Sequence, residues 1–468
     1  MKKVVIVGGG ITGLAAAYRL QTLSSELNIT LIERDTRLGG KISTEYVDGF
    51  VIENAPDSFL SRKPQGIALC EELGITNRLQ GRNPAHTNTY VMRNGQLYDL
   101  PAGLTGLVPT NLDALAASPL ISEEGKRRLA EELRLPPAPD EGDESVAHFV
   151  SRRLGKEVFE QLIEPLMGGI YSGDTKQLSL AATFPQLRQI ELKYGSLIKG
   201  LLARQETGSK RQTESAYPPF VSFRNGMQEL IDRLVPRLTQ SRLLTNHTVE
   251  SLTPDKAGYR LTLSNERQIQ ADAVILTTPA YITAKLVAPW DNALADAHRA
   301  IPYASTAVVT LAYEQEKLPI PLDGRGYVIP AVEETEVKAC TWTSCKWTGR
   351  VPEGFVLLRL FLGRYGKRNI LQERDEQLIL LARQELERTL SITAAPYLTR
   401  IHRWPNGMPQ YNLGHVERLA QINSQLAQHN GLFLAGASYR GVGIPDCIRS
   451  ADEAAEKAVN YLRIKELL

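Results

Sequence analysis

Val4-Val5-Ile6-Val7-Gly8-Gly9-Gly10-Ile11-Thr12-Gly13-Leu14 reads as a buried strand, a glycine turn and the start of a helix. Val4 to Val7 are consecutive β-branched residues, the pattern of a central parallel strand covered on both faces. Gly8, Gly10 and Gly13 fit G-x-G-x-x-G, which permits a tight turn, close approach of the backbone to a pyrophosphate, and close packing of helix on strand. Ala15, Ala16 and Ala17 continue the helix, whose unpaired N–H groups and positive end suit an anion. A single glycine fingerprint is weak evidence, so the next segment matters more. Ile29-Thr30-Leu31-Ile32-Glu33 reads as a second strand ending in an acid. Glu33 stands twenty positions after Gly13, near the spacing at which a carboxylate receives ribose hydroxyls. Strand, turn, helix, strand and acid in register point to a bound dinucleotide.

The 468 residues suggest two or three domains with substantial cores. With 54 basic and 52 acidic residues the net charge is +2, too small a field to imply nucleic acid. Met1-Lys2-Lys3 before an apolar run resembles a signal peptide superficially, but glycines break the run and it flows into the strand-turn-helix pattern, so export is rejected. No uninterrupted apolar run approaches the ~18 residues of a membrane span. Cys70, Cys340, Cys345 and Cys447 form no C-x-x-C, and the seven histidines form no ligand-spaced cluster. The expectation is a cytoplasmic protein with reduced thiols and no metal site.

Further along, Pro64 and Gly74 bracket a helix. From 84 to 168 the chain reads as mostly helical with proline-rich joints, and residues 136–144 read as an acidic, rigid linker. Met167-Gly168-Gly169-Ile170-Tyr171-Ser172-Gly173-Asp174 reads as a glycine-rich turn interrupting helices, with close backbone approach to something. Residues 176–203 read as helical again, and 206–219 as a polar, mobile loop. Gln228 to Leu238 is expected to be a helix, and Ala273-Val274-Ile275-Leu276 another buried strand. Between 285 and 410 alternating segments predict an antiparallel sheet, with an amphipathic helix at 374–390 packed on it. Gly431 to Pro445 reads as a strand and glycine turn leading into the last helix, whose first turn Pro445 suits.

Arg34-Asp35-Thr36-Arg37-Leu38-Gly39-Gly40-Lys41 adds a second glycine pair just beyond the ribose acid, more than a simple nicotinamide site needs. Here the sequence resembles the flavin-dependent amine oxidase and protoporphyrinogen oxidase superfamily. Four segments narrow the resemblance to porphyrinogen oxidases: Asn54-Ala55-Pro56-Asp57-Ser58-Phe59-Leu60, Glu164 to Asp174, Met408-Pro409-Gln410-Tyr411-Asn412-Leu413-Gly414-His415, and Gly441-Val442-Gly443-Ile444-Pro445-Asp446. Within that family the chain is most similar to the Gram-positive branch, the coproporphyrinogen III oxidases.

The resemblance implies an α/β architecture: a discontinuous Rossmann-like FAD-binding domain from 1–60, 219–284 and 411–468, an α+β substrate-binding domain with an antiparallel sheet from 61–83, 169–218 and 285–410, and a helical, membrane-binding-like insertion at 84–168. It implies non-covalent FAD lined by Gly8, Gly10, Ile11, Thr12, Gly13, Glu33, Arg34, Gly40, Lys41, Asn54, Ala55, Val249, Trp404, Ala437, Gly443 and Ile444, with the backbone of Val249 against the adenine. Cys447, close to this site, is read as a plain buried thiol rather than a covalent anchor. The last helix points its positive end where reduced flavin carries charge.

The implied reaction is a six-electron oxidation of coproporphyrinogen III to coproporphyrin III in heme biosynthesis, in three flavin cycles, each reoxidised by O2 to give H2O2. The pyrroles delocalise the cation left by hydride loss, so no general base is nominated. Lys63, with Arg62 as the alternative, is the expected partner of a substrate carboxylate, and Gly169 and Ile170 the expected cavity wall. Thr89 stands where plant and animal relatives have a propionate-pairing arginine, which argues against carrying over their binding pose. The implied partners are the porphyrinogen, O2, a peripheral membrane contact and neighbouring heme-pathway enzymes. Three alternatives stay open: protoporphyrinogen IX as the substrate, an amine oxidase or carotenoid desaturase, and a non-catalytic FAD-binding protein.

Overall fold

The computed structural model describes residues 1–105, 107–139, 142–209 and 217–467. The chain divides into two compact units, one of residues 1–81, 217–302 and 416–468, the other of 82–216 and 303–415. The first unit is thus discontinuous, as the far-apart motifs require. Its boundaries differ from the expected ones: residues 61–81 and 285–302 belong to it, and 84–168 forms one unit with the large sheet. The acidic linker is described except at 140–141, and of the expected polar loop, 206–209 prolong the helix Leu197–Ser209 while 210–216 lie outside the described residues.

In the first unit five parallel strands lie in the order Ser241–Leu244, Leu27–Ile32, Lys2–Val7, Ala273–Leu276, Leu432–Leu434. Val4 to Val7 pair in register with Ile29 to Ile32 on one side and Ala273 to Leu276 on the other. Burial on both faces explains the unbroken β-branched run. Since Val7, Ile32 and Leu276 are level, Gly8, Glu33 and Thr277 emerge together at the carboxyl edge of the sheet, where open α/β sheets bind ligands. The helices Ile11–Leu23 and Ile444–Leu467 pack on each other, and buried alanines at 15, 16, 17, 451, 454, 455 and 458 permit a close approach.

The second unit is built on a seven-stranded sheet in the order Leu398–Pro409, Tyr303–Glu314, Phe355–Leu362, Val337–Trp342, Gly324–Val328, Asn88–Arg93, Gln96–Asp99. It is mixed rather than antiparallel, because Gly324–Val328 runs parallel to Asn88–Arg93. The helix Asp375–Leu390 covers one face through Leu378, Ala382, Leu386 and Leu390. Two departures from the sequence reading stand out. Residues 88–99 form a hairpin inside a stretch read as mostly helical: Asn94 and Gly95 have φ of 51° and 75°, the left-handed pair of a two-residue turn. Residues 176–203 form not one helix but pieces at Leu180–Thr183 and Pro185–Tyr194 followed by Leu197–Ser209, broken at Pro185 and at the left-handed Gly195.

Candidate functional site

The edge of the parallel sheet in the first unit is shaped by glycines with different tasks. Gly8 has φ 110°, and a Cβ there would lie 2.7 Å from Thr277 Oγ1. Thr277 Oγ1 lies 2.9 Å from the Val7 carbonyl and 3.0 Å from that of Gly8, fixing the turn. A Cβ on Gly13 would fall onto the Gly8 carbonyl oxygen, so Gly13 lets the helix seat on the strand. Gly10 is different: its backbone is ordinary (φ −71°, ψ 178°) and the nearest atom to a Cβ would be Gly40 Cα at 4.0 Å. Gly10 begins the helix without a side-chain cap, and the first turn carries no acid. Its opening N–H groups are left for an anion, and the space over Gly10 is of the kind a pyrophosphate fills.

Glu33 is buried, with Oε2 accepting from the Gly9 N–H at 2.6 Å and Oε1 from the Asp35 N–H at 2.9 Å. Each oxygen retains a lone pair for a ribose hydroxyl. The His247 N–H donates to the Glu33 carbonyl at 2.9 Å, which brings the segment leading into Val249 beside Glu33. The Gly39 N–H donates to Gly9 O at 2.8 Å and Gly40 (φ 58°) lies against Gly10, so the second glycine pair closes on the first. Asn54 Nδ2 donates to Ser43 Oγ at 2.9 Å, with Ala55 beside it. Arg34 points outward, its side chain 65% exposed and 3.6 Å from Asp35.

At the other end of the chain, Ala437 follows Gly436, whose N–H donates to Ser450 Oγ at 2.9 Å. The Asp446 carboxylate, nearly buried, accepts from the Gly443 N–H at 3.3 Å and caps the turn before Ile444. Lys63 Nζ donates to Asp446 Oδ2 at 2.5 Å. The Lys63 ammonium therefore supports this turn, while Arg62, exposed, has no side-chain partner among the described residues. Lys63→Ala is expected to weaken FAD binding about fivefold, the factor that a lost hydrogen bond to a charged group supports in a partly exposed pair, with substrate KM unchanged. Fluorescence titration of apoprotein with FAD measures it; a raised KM with intact FAD affinity would return Lys63 to the substrate.

Lys41 keeps accessible surface, yet protein surrounds its ammonium closely enough that desolvation lowers its pKa, the Cys447 thiol acting the other way. Both hold for a side chain lining a recess. Burial pushes the Cys447 thiol up, a hydrogen bond with Thr12 opposing it, so it is a protonated thiol packed under the helix start. Sequence reasoning missed Thr277 and Asp446. It also missed His298, a buried neutral imidazole whose Nδ1 lies 2.7 Å from Leu294 O and whose Nε2 faces the Tyr439 hydroxyl at 3.2 Å. Among the described residues no group of three or more His, Cys, Asp or Glu side chains could hold a metal ion.

Trp404, Gly169 and Ile170 belong to the second unit. Trp404 is half-buried on Leu398–Pro409, opposite Thr306 beside a bulge. Gly168 and Gly169 do not interrupt a helix, as their composition suggested; the helix Glu164–Tyr171 runs through them and ends at Ser172 in the left-handed region (φ 53°). A Cβ on Gly169 would meet nothing within 4 Å, and Ile170 is 49% exposed. No packing among the described residues calls for glycine at 169.

A family model described as "Flavin containing amine oxidoreductase" matches residues 11–459. The chain belongs to the flavin containing amine oxidoreductase family. Its α/β fold and FAD cofactor follow, and the glycine cradle, Glu33 and the uncapped helix start fit that cofactor. Coproporphyrinogen III oxidase of Bacillus subtilis (strain 168) is 37% identical over 98% of this chain and 98% of its own length. That of Staphylococcus aureus (strain NCTC 8325 / PS 47) is 33% identical over 98% and 100%. A solved structure from Exiguobacterium sp. 255-15 covers 99% of both chains at 35% identity with a TM-score of 0.88. In this flavin containing amine oxidoreductase, among the described residues, no helix is long and apolar enough to cross a membrane.

Proposed function

We propose that the chain oxidises coproporphyrinogen III to coproporphyrin III, with O2 as the final acceptor and H2O2 as its product. The supporting observation is the surface formed by Gly169 and Ile170: a glycine with open space above it beside an exposed aliphatic side chain suits a flat macrocycle. FAD, when bound, supplies the acceptor for each hydride leaving a methylene bridge. The protein's part is to hold: Gly10 to Gly13 present N–H groups to the pyrophosphate, Glu33 takes ribose hydroxyls, and Arg62, rather than Lys63, offers a cation to a substrate carboxylate. Val249 is read as the adenine contact and Trp404 as a cofactor neighbour. The reading includes a cytoplasmic location with peripheral membrane contact and exchange with neighbouring heme-pathway enzymes.

Aerobic incubation of the flavin-loaded protein with coproporphyrinogen III and, separately, protoporphyrinogen IX, followed by porphyrin fluorescence, tests the reading. Faster product formation from coproporphyrinogen III is expected; no gain over spontaneous oxidation with either would sink it. Gly169→Leu sharpens the test. The protein leaves room for the side chain and the helix gains intrinsic propensity, so stability should hold or rise. Kcat/KM should nevertheless fall about tenfold or more, the scale of overpacking a close-fitting contact. Unchanged kinetics in the leucine variant would remove this surface from the substrate site.

A further inference from the structure

Lys338, on the strand Val337–Trp342, is 4% exposed. A buried ammonium normally has an anion or several acceptors around it. Here Nζ makes a single hydrogen bond among the described residues, to Ser172 Oγ at 2.8 Å. Ser172 is itself unusual, because it ends the helix Glu164–Tyr171 in a left-handed conformation where glycine is the usual residue. Serine costs backbone strain there and supplies a hydroxyl, which is what Lys338 engages. Lys338 thus places a cation beside the negative end of that helix.

The same helix end is held from other sides. Gln410, fully buried, donates from Nε2 to the Tyr171 carbonyl at 2.9 Å, and a Cβ on Gly173 would fall onto Gln410 Oε1. The Tyr171 ring packs edge-on against Phe184 at 6.3 Å. Just before it, Gly169 and Ile170 have no comparable covering among the described residues. A firmly anchored end beside an open surface is the arrangement of a wall set in position for a ligand.

We propose that Lys338, acting through Ser172, is a positioning residue that holds the Gly169–Ile170 surface where the substrate meets it. This rests on the reading of that surface as the porphyrinogen wall. Burial, and secondarily the Arg364 guanidinium, pushes the Lys338 pKa down to about 7. The other charged groups facing this cluster are Glu164, 3.6 Å from Arg364, and those acting on that pair: Asp174 and Glu160 on Glu164, Glu336 and Glu385 on Arg364. Either form of the amine donates to Ser172, and the lowered pKa means that burial costs the charged form more than the helix end returns. Deprotonation therefore favours the anchored amine over a solvated one, and the anchoring strengthens as pH rises through about 7.

Ser172→Gly and Lys338→Met in the flavin-loaded protein test this. Glycine relaxes the left-handed backbone, so Ser172→Gly keeps or raises Tm while removing the hydroxyl. Both variants should raise porphyrinogen KM about fivefold, the factor one net hydrogen bond supports, with kcat within about twofold. Wild-type KM should fall between pH 6 and pH 8.5, and neither variant should show that fall. Hydrogen exchange over residues 168–174 should be faster in both variants at pH 8.5, a readout that holds whatever the substrate. Altered exchange in a protein that oxidises no porphyrinogen would overturn the functional reading and leave the anchoring intact. Wild-type KM, pH profile and exchange in Ser172→Gly would overturn the anchoring, even if Lys338→Met failed to fold.

Discussion

Gly10→Val yields a folded protein that no longer retains FAD. At φ −71° and ψ 178° position 10 has an extended conformation that valine adopts readily, and a Cβ there has 4.0 Å to its nearest protein neighbour, Gly40 Cα. The side chain nevertheless stands over the first N–H groups of the helix Ile11–Leu23, the space a pyrophosphate must enter. A loss of about two orders of magnitude in FAD affinity is expected, since the phosphate forfeits several charge-assisted hydrogen bonds at once. Thermal unfolding of the apoprotein should match wild-type apoprotein, and flavin absorbance of the purified variant should be absent. Full flavin content would show that the dinucleotide does not lie over this turn. Gly13→Val is the control with the opposite cause: its side chain meets the Gly8 carbonyl, which Thr277 pins, so the fold itself gives way.

The distinction between Gly10 and Gly13 marks how far the sequence could be read. The spacing of Gly8, Gly10 and Gly13 and the acid at 33 announce the strand, turn, helix and second strand, because these depend on residues close in sequence and on the local geometry of one turn. The α/β fold followed from that stretch, and Gly39-Gly40 with the glycine segment at 436–445 turned the dinucleotide toward FAD. Which glycine serves the fold and which the ligand depends on Thr277, which arrives from far along the chain, and no local pattern encodes it. Lys63 reads as a partner for a substrate carboxylate for the same reason: its own partner Asp446 is 383 positions away. The hairpin at 88–99 was legible in principle, since Asn94-Gly95 is a strong turn signal between alternating segments. Its parallel pairing with Gly324–Val328 was not, because register between remote strands leaves no periodicity. Gly168 and Gly169 misled in the other direction. Glycines usually punctuate helices, yet here the helix tolerates them, and the weak local preference yields to packing of its other residues.

Glu132→Ala destabilises the protein by about 3–5 kcal/mol, the range for breaking a buried ion pair from one side. Glu132 is fully buried and accepts from Arg153 Nη2 at 2.5 Å, Ser196 Oγ at 2.6 Å and the Leu197 N–H at 2.7 Å. Its carboxylate thus neutralises a guanidinium that is 1% exposed and caps the start of the helix Leu197–Ser209. After truncation Arg153 retains the carbonyls of Pro136 at 3.0 Å and Gly195 at 2.7 Å, with Glu191 at 3.7 Å, so its charge is only partly compensated. Glu191 cannot swing across without leaving Arg152, which donates to it at 2.6 Å. Its pKa is held down to about 2, where hydrogen bonds from Arg152 and Arg188 outweigh the desolvation that would raise it. The double variant Glu132→Met with Arg153→Met should recover part of the loss, because two apolar side chains of similar volume remove both charges together. Denaturant unfolding of the flavin-loaded protein separates these cases. A Glu132→Ala variant within about 1 kcal/mol of wild type would mean that the remaining carbonyls and Glu191 satisfy Arg153 unaided.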